Sequence, residues 1–530
     1  MRIAHCFVLC FFSILNGLHS QQDFVRGRVL DSETGEPIIF ATIRIKDKAI
    51  GVISNRDGDF RIPVKFRQMG DTLTISCMGY QKRDLAIRRF SPTDVNIIRL
   101  QPGVLELYEA VVTAPKKRKM SARRIVGKAV RAIPKNYPKH TFSTTGYYRD
   151  YQFDHGEYVN LNEAILEVFD NGFDEIHTSA TEVRIYDYKQ NTQFKRDTLA
   201  DDQYSYRDGI KVIDNAFLPA YGGNEFVILR VHDAIRNYQI NSFDFVNNME
   251  KGDLLENHSF KKDNDVYSEQ ERLYVIDCKK IGQDYTAVGK LFIAKSDFGI
   301  HRIEYAVYDA RKKNDNPILQ AKGIRGNLVF EVGTEYKRGP DNILYLNYIS
   351  FHNTFQLAIP PKFVVKEVGA LFKEKALRIL FNKPLHKTSN ADKKKNYKIH
   401  YRNKRLRFAD VQIVKDSIAM LTLDVEPKDW NTMVEELDGL DRRGTEMNSI
   451  LKVEIEDVID VHGNVVNEWT SKEYNQFREY FVQKDKFFIQ IPSDIRFMDK
   501  RRPIFENQPI SQPKNFADYW MNTPLKKLEN

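Results

Sequence analysis

Residues 22–101 contain short segments in which apolar and polar residues alternate. In 42–46 two isoleucines alternate with Thr, Arg and Lys, and in 72–77 Leu, Ile and Cys alternate with Thr and Ser. A period of two places every second side chain on one face of a strand, and turn residues separate the segments. The pattern predicts a β-sandwich of short strands over 22–101.

The turn sequence NRDGDF in this region places Asn55, Asp57 and Asp59 at alternating positions, as in a calcium loop. An EF-hand loop also needs glycine at its sixth position and a bidentate glutamate at its twelfth. Counted from Asn55, those positions are Phe60 and Phe66, so the segment fails as a metal site. An Asp-Gly pair between two strand patterns predicts a hairpin turn instead.

Residues 102–137 change to a basic linker followed by a helical pattern. Ser121 is a candidate N-cap, and we expect Pro134 and Pro138 to end the helix. Apolar residues recur with helical spacing on one face. They are Ile125, Val126, Ala129, Val130 and Ile133.

Residues 138–360 contain about eight long strand patterns that short turns connect. A segment at 190–250 interrupts them, with a helix predicted near 224–237. Sequential antiparallel strands with one insertion predict a large curved sheet or an open half-barrel with a helical insertion.

Residues 361–470 return to short alternating strands, with a helix predicted at DWNTMVEELDGL, and form a third β unit. Residues 471–530 mix aromatic residues with proline and charge. We expect an extended strap there that docks onto other domains through Phe487, Phe488, Tyr519 and Trp520. Aromatic residues make up 12% of the chain, which also favours a mainly β fold.

Residues 1–20 have the pattern of a signal peptide. Arg2 gives a positive start, an apolar run follows at 6–15, and Ser20 is a small residue at the expected cleavage position. This run is too short to span a bilayer, and no later run approaches the ~20 residues of a membrane helix. We therefore expect an exported protein in the periplasm or at the outer-membrane surface.

Two cysteines, Cys77 and Cys278, remain outside the signal peptide, each in an apolar strand pattern. We expect two buried free thiols in different domains, because a disulfide must also meet tight geometric limits. A disulfide in an oxidising compartment is the alternative.

The net charge of +9 is concentrated in basic runs at 116–124 and 393–408. Export makes nucleic acid a poor partner for such runs. A solvated linker and a lysine-rich strand pair explain them, and an anionic membrane surface or a glycolipid is the more plausible ligand.

The segments GRVLDSETGEPIIFATIRI, GVISNRDGDFRI and DTLTISCMGYQKR, in this order, resemble the carboxypeptidase-regulatory-like domain. The resemblance implies a transthyretin-like β-sandwich of a kind common in Gram-negative envelope proteins. LELYEAVVTA at 105–114 is similar to the segment that follows this domain in TonB-dependent receptors. A plug and a large barrel would need far more residues than follow, so the resemblance to receptors ends there.

Two further resemblances concern the rest of the chain. YTAVGKLFIAKSDFGIHRIEY is similar to the strand–turn–strand of lipoprotein-carrier half-barrels, whose helix-covered concave sheet holds acyl chains. Residues 361–470 resemble bacterial Ig-like domains that end with a V-x-D-x-x-G-N turn. The matching residues are Val458, Asp460, Gly463 and Asn464.

The chain lacks the G-x-S-x-G, P-loop, G-x-G-x-x-G and H-E-x-x-H motifs. His301 and Glu304 fit H-x-x-E, but residues three apart in a strand face opposite sides and would not share a zinc ion. Glu163 and Glu167 lie ~13 Å apart along a strand, beyond the glycosidase separations, and are expected on the polar face of the sheet. We therefore assign no catalytic, cofactor-binding or metal-binding residues.

These observations favour a non-enzymatic, exported envelope protein that acts as a binding or scaffolding module. Its central β domain could hold a lipid or another apolar ligand. The alternatives are a glycan- or receptor-associated surface protein without a ligand in that domain, and a hydrolase. Envelope proteins or outer-membrane components are the expected partners, with no cofactor and no nucleic acid.

Overall fold

The computed structural model describes residues 24–48, 50–103, 120–176, 181–201, 211–212, 224–239, 253–268, 271–312, 317–321, 324, 326–371, 373–402, 404–441, 450–493, 496–522, 524–525 and 528. The expected signal peptide and the segment LELYEAVVTA lie outside the described residues. The chain divides into two compact units, of which the first is Met1–Phe355 with Tyr474–Asn530 and the second is Gln356–Glu473.

The first unit begins with a β-sandwich. Its elements are β1 (Phe24–Asp31), β2 (Thr42–Ile45), β3 (Gly51–Ile53), β4 (Asp59–Pro63), α1 (Val64–Gln68), β5 (Thr72–Ser76), β6 (Arg83–Ala86) and β7 (Asn96–Leu100). One sheet has the order β4-β1-β7 and the other β3-β2-β5-β6. Val29, Ile43, Phe60 and Ile75 are wholly buried in one core, which confirms the predicted N-terminal sandwich.

The NRDGDF sequence forms a turn between β3 and β4. Asn55 Oδ1 accepts hydrogen bonds from the backbone N–H groups of Asp57 and Asp59 at 2.9 and 2.8 Å. Gly58 has a φ of +74°, which glycine adopts without strain. The Asp59 carboxylate lies 2.5 Å from Arg28 Nε, so it is part of a structural ion pair.

The predicted helix is α2 (Ala122–Asn136), and Ser121 caps it by accepting a hydrogen bond from the Arg124 N–H at 3.4 Å. The expected end at Pro134 is wrong, because the helix includes this residue. A proline in the last turn removes only one backbone donor. The helix ends where Tyr137 becomes extended, as the residue before Pro138 must.

The rest of the first unit is built on a 12-stranded sheet. Its strands are β8 (Phe142–Asp154), β9 (Glu157–Asp170), β10 (Glu182–Gln190), β11 (Lys211–Val212), β12 (Ser259–Lys262), β13 (Val266–Ser268), β14 (Glu271–Ile281), β15 (Tyr285–Ala294), β16 (Ile300–Asp309), β17 (Asn327–Arg338), β18 (Leu344–Ile359) and β26 (Thr470–Lys486). Short helices are α3 (Thr198–Asp201), α4 (Glu225–Val231), α5 (Asp253–Asn257) and α6 (Pro317–Ala321). The order β10-β9-β8-β26-β18-β17-β16-β15-β14-β12 confirms the predicted large antiparallel sheet with its helical insertion.

Strand β26 corrects the expectation of a strap over 471–530. It lies inside the sheet between β8 and β18, with Glu479 opposite Arg149 of β8. Both faces of its central stretch, 476–483, are buried, and both carry polar as well as aromatic residues. The sequence therefore lacks the apolar–polar alternation that marks a half-buried strand.

The strap begins only after β26 and packs against the first unit. The contacts between rings are Phe487 with Tyr345, Phe488 with His140 and Tyr519 with Tyr186, at centroid distances of 4.5, 3.7 and 5.5 Å. Trp520 is buried in the core of the sandwich.

The second unit has two sheets and one long helix. Its elements are β19 (Val365–Leu371), β20 (Ala376–Phe381), β21 (Tyr397–Tyr401), β22 (Lys404–Arg405), β23 (Phe408–Lys415), β24 (Ile418–Leu423), α7 (Pro427–Asp441) and β25 (Leu451–Ile455). The sheets β19-β20-β24-β23 and β22-β21-β25 share a core with Ile379, Ile399, Leu421 and Trp430. Asp460 Oδ1 accepts from the N–H groups of His462 and Asn464, which closes the predicted turn. The Ig-like assignment stays a prediction.

The sequence also predicted that no helix spans a membrane and that the two cysteines are free. None of the helices seen there combines the length and the apolar character needed to cross a bilayer. Cys77 and Cys278 are free thiols, as predicted, although Cys77 is half-buried rather than buried.

Candidate functional site

A cleft of about 1070 Å³ separates the sandwich from one end of the large sheet, within the first unit. The sandwich lines it with Thr42, Arg44, Ser76, Cys77, Met78, Tyr80, Lys82 and Asp84. The large sheet and its turns contribute Ser268, Glu271, Ser296, Asp297, His301, Glu335, Tyr336, Lys337, Arg338, Asn342 and Asn347.

Glu271 is the centre of a polar cluster on the sheet side. Arg338 donates to both of its oxygens at 2.9 and 3.0 Å and to Asp297 Oδ2 at 2.9 Å. Ser296 Oγ donates to Glu271 at 2.5 Å, and His301 Nε2 lies 3.1 Å from Oε2. Burial opposes ionisation of Glu271, but the contacts with His301, Arg338 and Ser296 hold its pKa well below the usual range. This carboxylate is therefore a fixed anion and hydrogen-bond acceptor.

Asn347 joins the sheet to the sandwich at the edge of the cleft. Its Oδ1 accepts from Arg44 Nη2 at 2.9 Å, and its Nδ2 donates to Thr42 Oγ1 and Glu335 Oε1 at 3.0 and 2.8 Å. Asn347 is buried, and burial raises the pKa of Glu335. One amide thus connects β2, β17 and β18.

The sandwich wall is also polar. Asp84 accepts hydrogen bonds from Lys46 and Thr74, both at 2.7 Å. Burial and a hydrogen bond to Asp31 raise the pKa of Tyr80 to about 12. Burial likewise raises the pKa of the Cys77 thiol to about 12, so it is protonated and a poor nucleophile at neutral pH.

The charges of the lining balance. The cations are Arg44, Lys82, Lys337 and Arg338, and the anions are Asp84, Glu271, Asp297 and Glu335. The lining therefore presents many hydrogen-bonding groups and equal numbers of Lys or Arg and Asp or Glu side chains.

The structure places the residues that the sequence suggested for chemistry away from any shared centre. His301 contacts Glu271, whereas Glu304 lies 2.6 Å from Arg302 Nη2, which separates the H-x-x-E pair as expected. Across the part of the chain that the structure describes, no group of three His, Cys, Asp or Glu side chains is placed to hold a metal ion.

Glu163 and Glu167, which we expected on the polar face of the sheet, lie on a face that other parts of the chain cover. Both are buried, and Tyr147 Oη donates to Glu163 at 2.7 Å while Tyr186 Oη donates to Glu167 at 2.6 Å. The sandwich and the strap cover this face, where Tyr147 packs with Ile53 and Tyr519. Each glutamate is therefore a hydrogen-bonded interior group.

The opposite face of the large sheet is covered by α4 and the residues after it. Phe226 of α4 packs against Tyr148 at a ring distance of 5.8 Å, and His232 stacks on Phe351 at 3.8 Å. Two cavities beside α4 have volumes of only about 30 and 10 Å³, too small for an acyl chain.

The sequence contained no signal for the cleft. Its residues come from separate strands and turns between positions 42 and 347. Each is an ordinary polar residue in its own strand, and only the packing of the sandwich on the sheet brings them together.

Comparison with known proteins identifies the sandwich. Residues 25–112 match the family model of the CarboxypepD_reg-like domain. This segment is a carboxypeptidase-regulatory-like domain. The resemblance of its turns and strands had implied this sandwich fold. The regulatory-like domain therefore supplies one wall of the cleft.

Two further similarities extend the comparison. The chain is 38% identical over 68 residues to the TonB-dependent receptor SusC of Bacteroides thetaiotaomicron, which covers 13% of this chain and 6% of the receptor's length. A LolA superfamily protein from Nitrosomonas europaea superposes on 44% of this chain and 86% of its own, with 11% identity and a TM-score of 0.19.

Proposed function

We propose that this chain is a non-enzymatic cell-envelope protein that binds a neutral, hydroxyl-rich ligand, such as a glycan, in the cleft beside the regulatory-like domain. The observation that carries the proposal is the charge-balanced polar lining. A hydroxyl group both donates and accepts hydrogen bonds, so it can use fixed carboxylates, guanidinium groups and amides without bringing a charge of its own.

The envelope location rests on three observations. The sequence begins with the pattern of a signal peptide, the sandwich is a regulatory-like domain, and its relative SusC is a TonB-dependent receptor. The periplasm or the outer-membrane surface is the proposed compartment. Envelope proteins or outer-membrane components are the proposed partners, with the chain as a binding or scaffolding module.

A lipid inside the central sheet has weaker support. Around β8 the sandwich and the strap cover one face of the sheet and α4 covers the other. The buried residues there include the ion pair between Arg149 and Glu479, which an acyl chain cannot satisfy.

The test is native mass spectrometry and calorimetry of the full chain with neutral and acidic oligosaccharides. We expect a neutral oligosaccharide to bind. Arg338→Gln should weaken this binding roughly tenfold or more, because the charge-assisted hydrogen bonds that hold Glu271 and Asp297 in the cleft are lost. Arg311→Gln is the matched control, since Arg311 makes a similar pair with Asp309 at 2.8 and 2.9 Å outside the cleft. Equal effects of both variants, or a stoichiometric lipid adduct that survives Arg338→Gln, would overturn the proposal.

A further inference from the structure

The second unit has a strongly basic surface that the cleft does not explain. Residues 393–407 contain eight Lys and Arg residues and no Asp or Glu. Lys398 pairs with Glu456 at 2.6 Å, and Arg402 pairs with Glu436. The other six are exposed and have no ion-pair partner among the described residues. They are Lys393, Lys394, Lys395, Lys404, Arg405 and Arg407.

These six cations, the basic edge, lie beside β23 of the second unit or just before it in the chain. The turns at Asn390–Asp392 and Lys394–Asn396 both contact β23. Lys394 and Lys395 belong to the second turn, and Lys393 lies between the two. Lys404 and Arg405 form β22, which pairs with the end of β21. Only Leu406 and Arg407 separate β22 from β23. Lys404, Arg405 and Arg407 therefore lie immediately before β23.

Strand β23 adds exposed apolar side chains to this surface. It is the edge of the sheet β19-β20-β24-β23, and its pairing with β24 is irregular between Ile413 and Lys415. A bulge re-aims side chains, and here Ile413 and Val414 are adjacent yet 39% and 58% exposed. Cations with no ion-pair partner in the part of the chain that the structure describes therefore lie next to an edge strand that presents two aliphatic residues to solvent.

We propose that the basic edge docks on the surface of an anionic phospholipid bilayer. The lysines and arginines would face the lipid phosphates, and Ile413 and Val414 would lie at the level of the headgroups. Clusters of four to eight basic residues bind anionic membranes through charge, and exposed apolar side chains add burial in the interface. A soluble polyanion would satisfy the cations but would gain nothing from the two aliphatic residues.

The proposal is tested by co-sedimentation of the full chain with vesicles of phosphatidylcholine alone or mixed with phosphatidylglycerol. We expect binding only to the mixed vesicles, and weaker binding as salt is added, because salt screens exposed charges. The triple variant Lys393→Gln, Lys394→Gln, Lys395→Gln should bind roughly 100-fold more weakly, since each lysine near the surface contributes about fivefold. Val414→Ser should also weaken binding to the mixed vesicles.

The matched control removes the same charge from the opposite edge of the same sheet. Lys362, Lys366 and Lys373 are exposed and lie within or next to β19. The triple glutamine variant of these lysines should bind the mixed vesicles as the unchanged chain does. Equal losses in both triple variants would show a net-charge effect and overturn the proposal. So would equal binding to both vesicle types, or binding to soluble polyphosphate as tight as to vesicles with no effect of Val414→Ser.

Discussion

Trp520 and Phe66 share the core of the regulatory-like domain, with ring centroids 5.6 Å apart, although they come from opposite ends of the chain. Trp520 is 3% exposed, and its Nε1 donates to the Arg61 carbonyl at 3.3 Å. Arg61 belongs to β4, one of the two edge strands of its sheet. The C-terminal strap thus completes a domain whose family match ends at residue 112.

We expect Trp520→Ala to destabilise the regulatory-like domain by about 3–5 kcal/mol, because it leaves a cavity in a closed core. Hydrogen exchange of the β1 and β4 amides at increasing denaturant concentration measures this loss of stability. Trp469→Ala is the control, since Trp469 is 65% exposed and should change stability by less than about 0.5 kcal/mol. If the two variants lose the same stability, the strap does not contribute to this core.

The turn between β3 and β4 allows a comparison of two glycines. Gly58 and Gly35 have φ values of +74° and +73°, but a Cβ on Gly58 would lie 2.3 Å from the Val29 carbonyl oxygen, whereas Gly35 has open space around it. We expect Gly35→Ala to cost ~1–2 kcal/mol from backbone strain alone. Gly58→Ala should cost about 1–3 kcal/mol more, because the backbone must also move. Thermal unfolding of both variants measures the difference, and equal losses would contradict it.

Glu271 should make the first unit sensitive to acid. Its pKa is lower in the folded state than in the unfolded chain, so its carboxylate stabilises the fold above the unfolded value of about 4.3. That stability is lost as the pH falls through the folded pKa. Glu271→Gln should lower stability at pH 7 and reduce its acid dependence, measured by urea midpoints across the acid range. Glu304→Gln, at a more exposed ion pair, should leave that dependence nearly unchanged.

Asp150 should make the protein less stable as the pH rises, the opposite of the effect expected from Glu271. Burial, together with the nearby Glu225, raises its pKa to about 7, although Arg478 opposes the shift. The folded state then holds a proton that the unfolded chain loses near pH 4, so stability falls as the pH rises from about 4 to about 7. Asp150→Asn should remove this fall and stabilise the protein most above pH 7. A difference from the unchanged chain that is constant between pH 4 and 8 would contradict the expected titration.

The regulatory-like domain and α2 could be predicted because their signals are local. The Asn55 turn, the alternation in β2 and β5 and the Ser121 cap each depend on a few neighbouring residues. The cleft could not be predicted in the same way. Asn347 becomes a connection between sandwich and sheet only because Arg44 and Thr42 pack opposite it.

The sequence by itself therefore determined the class of the fold and the positions of its strongest turns, since periodicity and turn chemistry act over a few residues. The tertiary structure alone decided that β26 enters the sheet between β8 and β18, that Glu163 and Glu167 are buried, and that Trp520 completes a distant core. The physical reason is that strand pairing and burial depend on which surfaces meet. A polar residue in a strand has the same local pattern whether water, a tyrosine hydroxyl or another domain covers it.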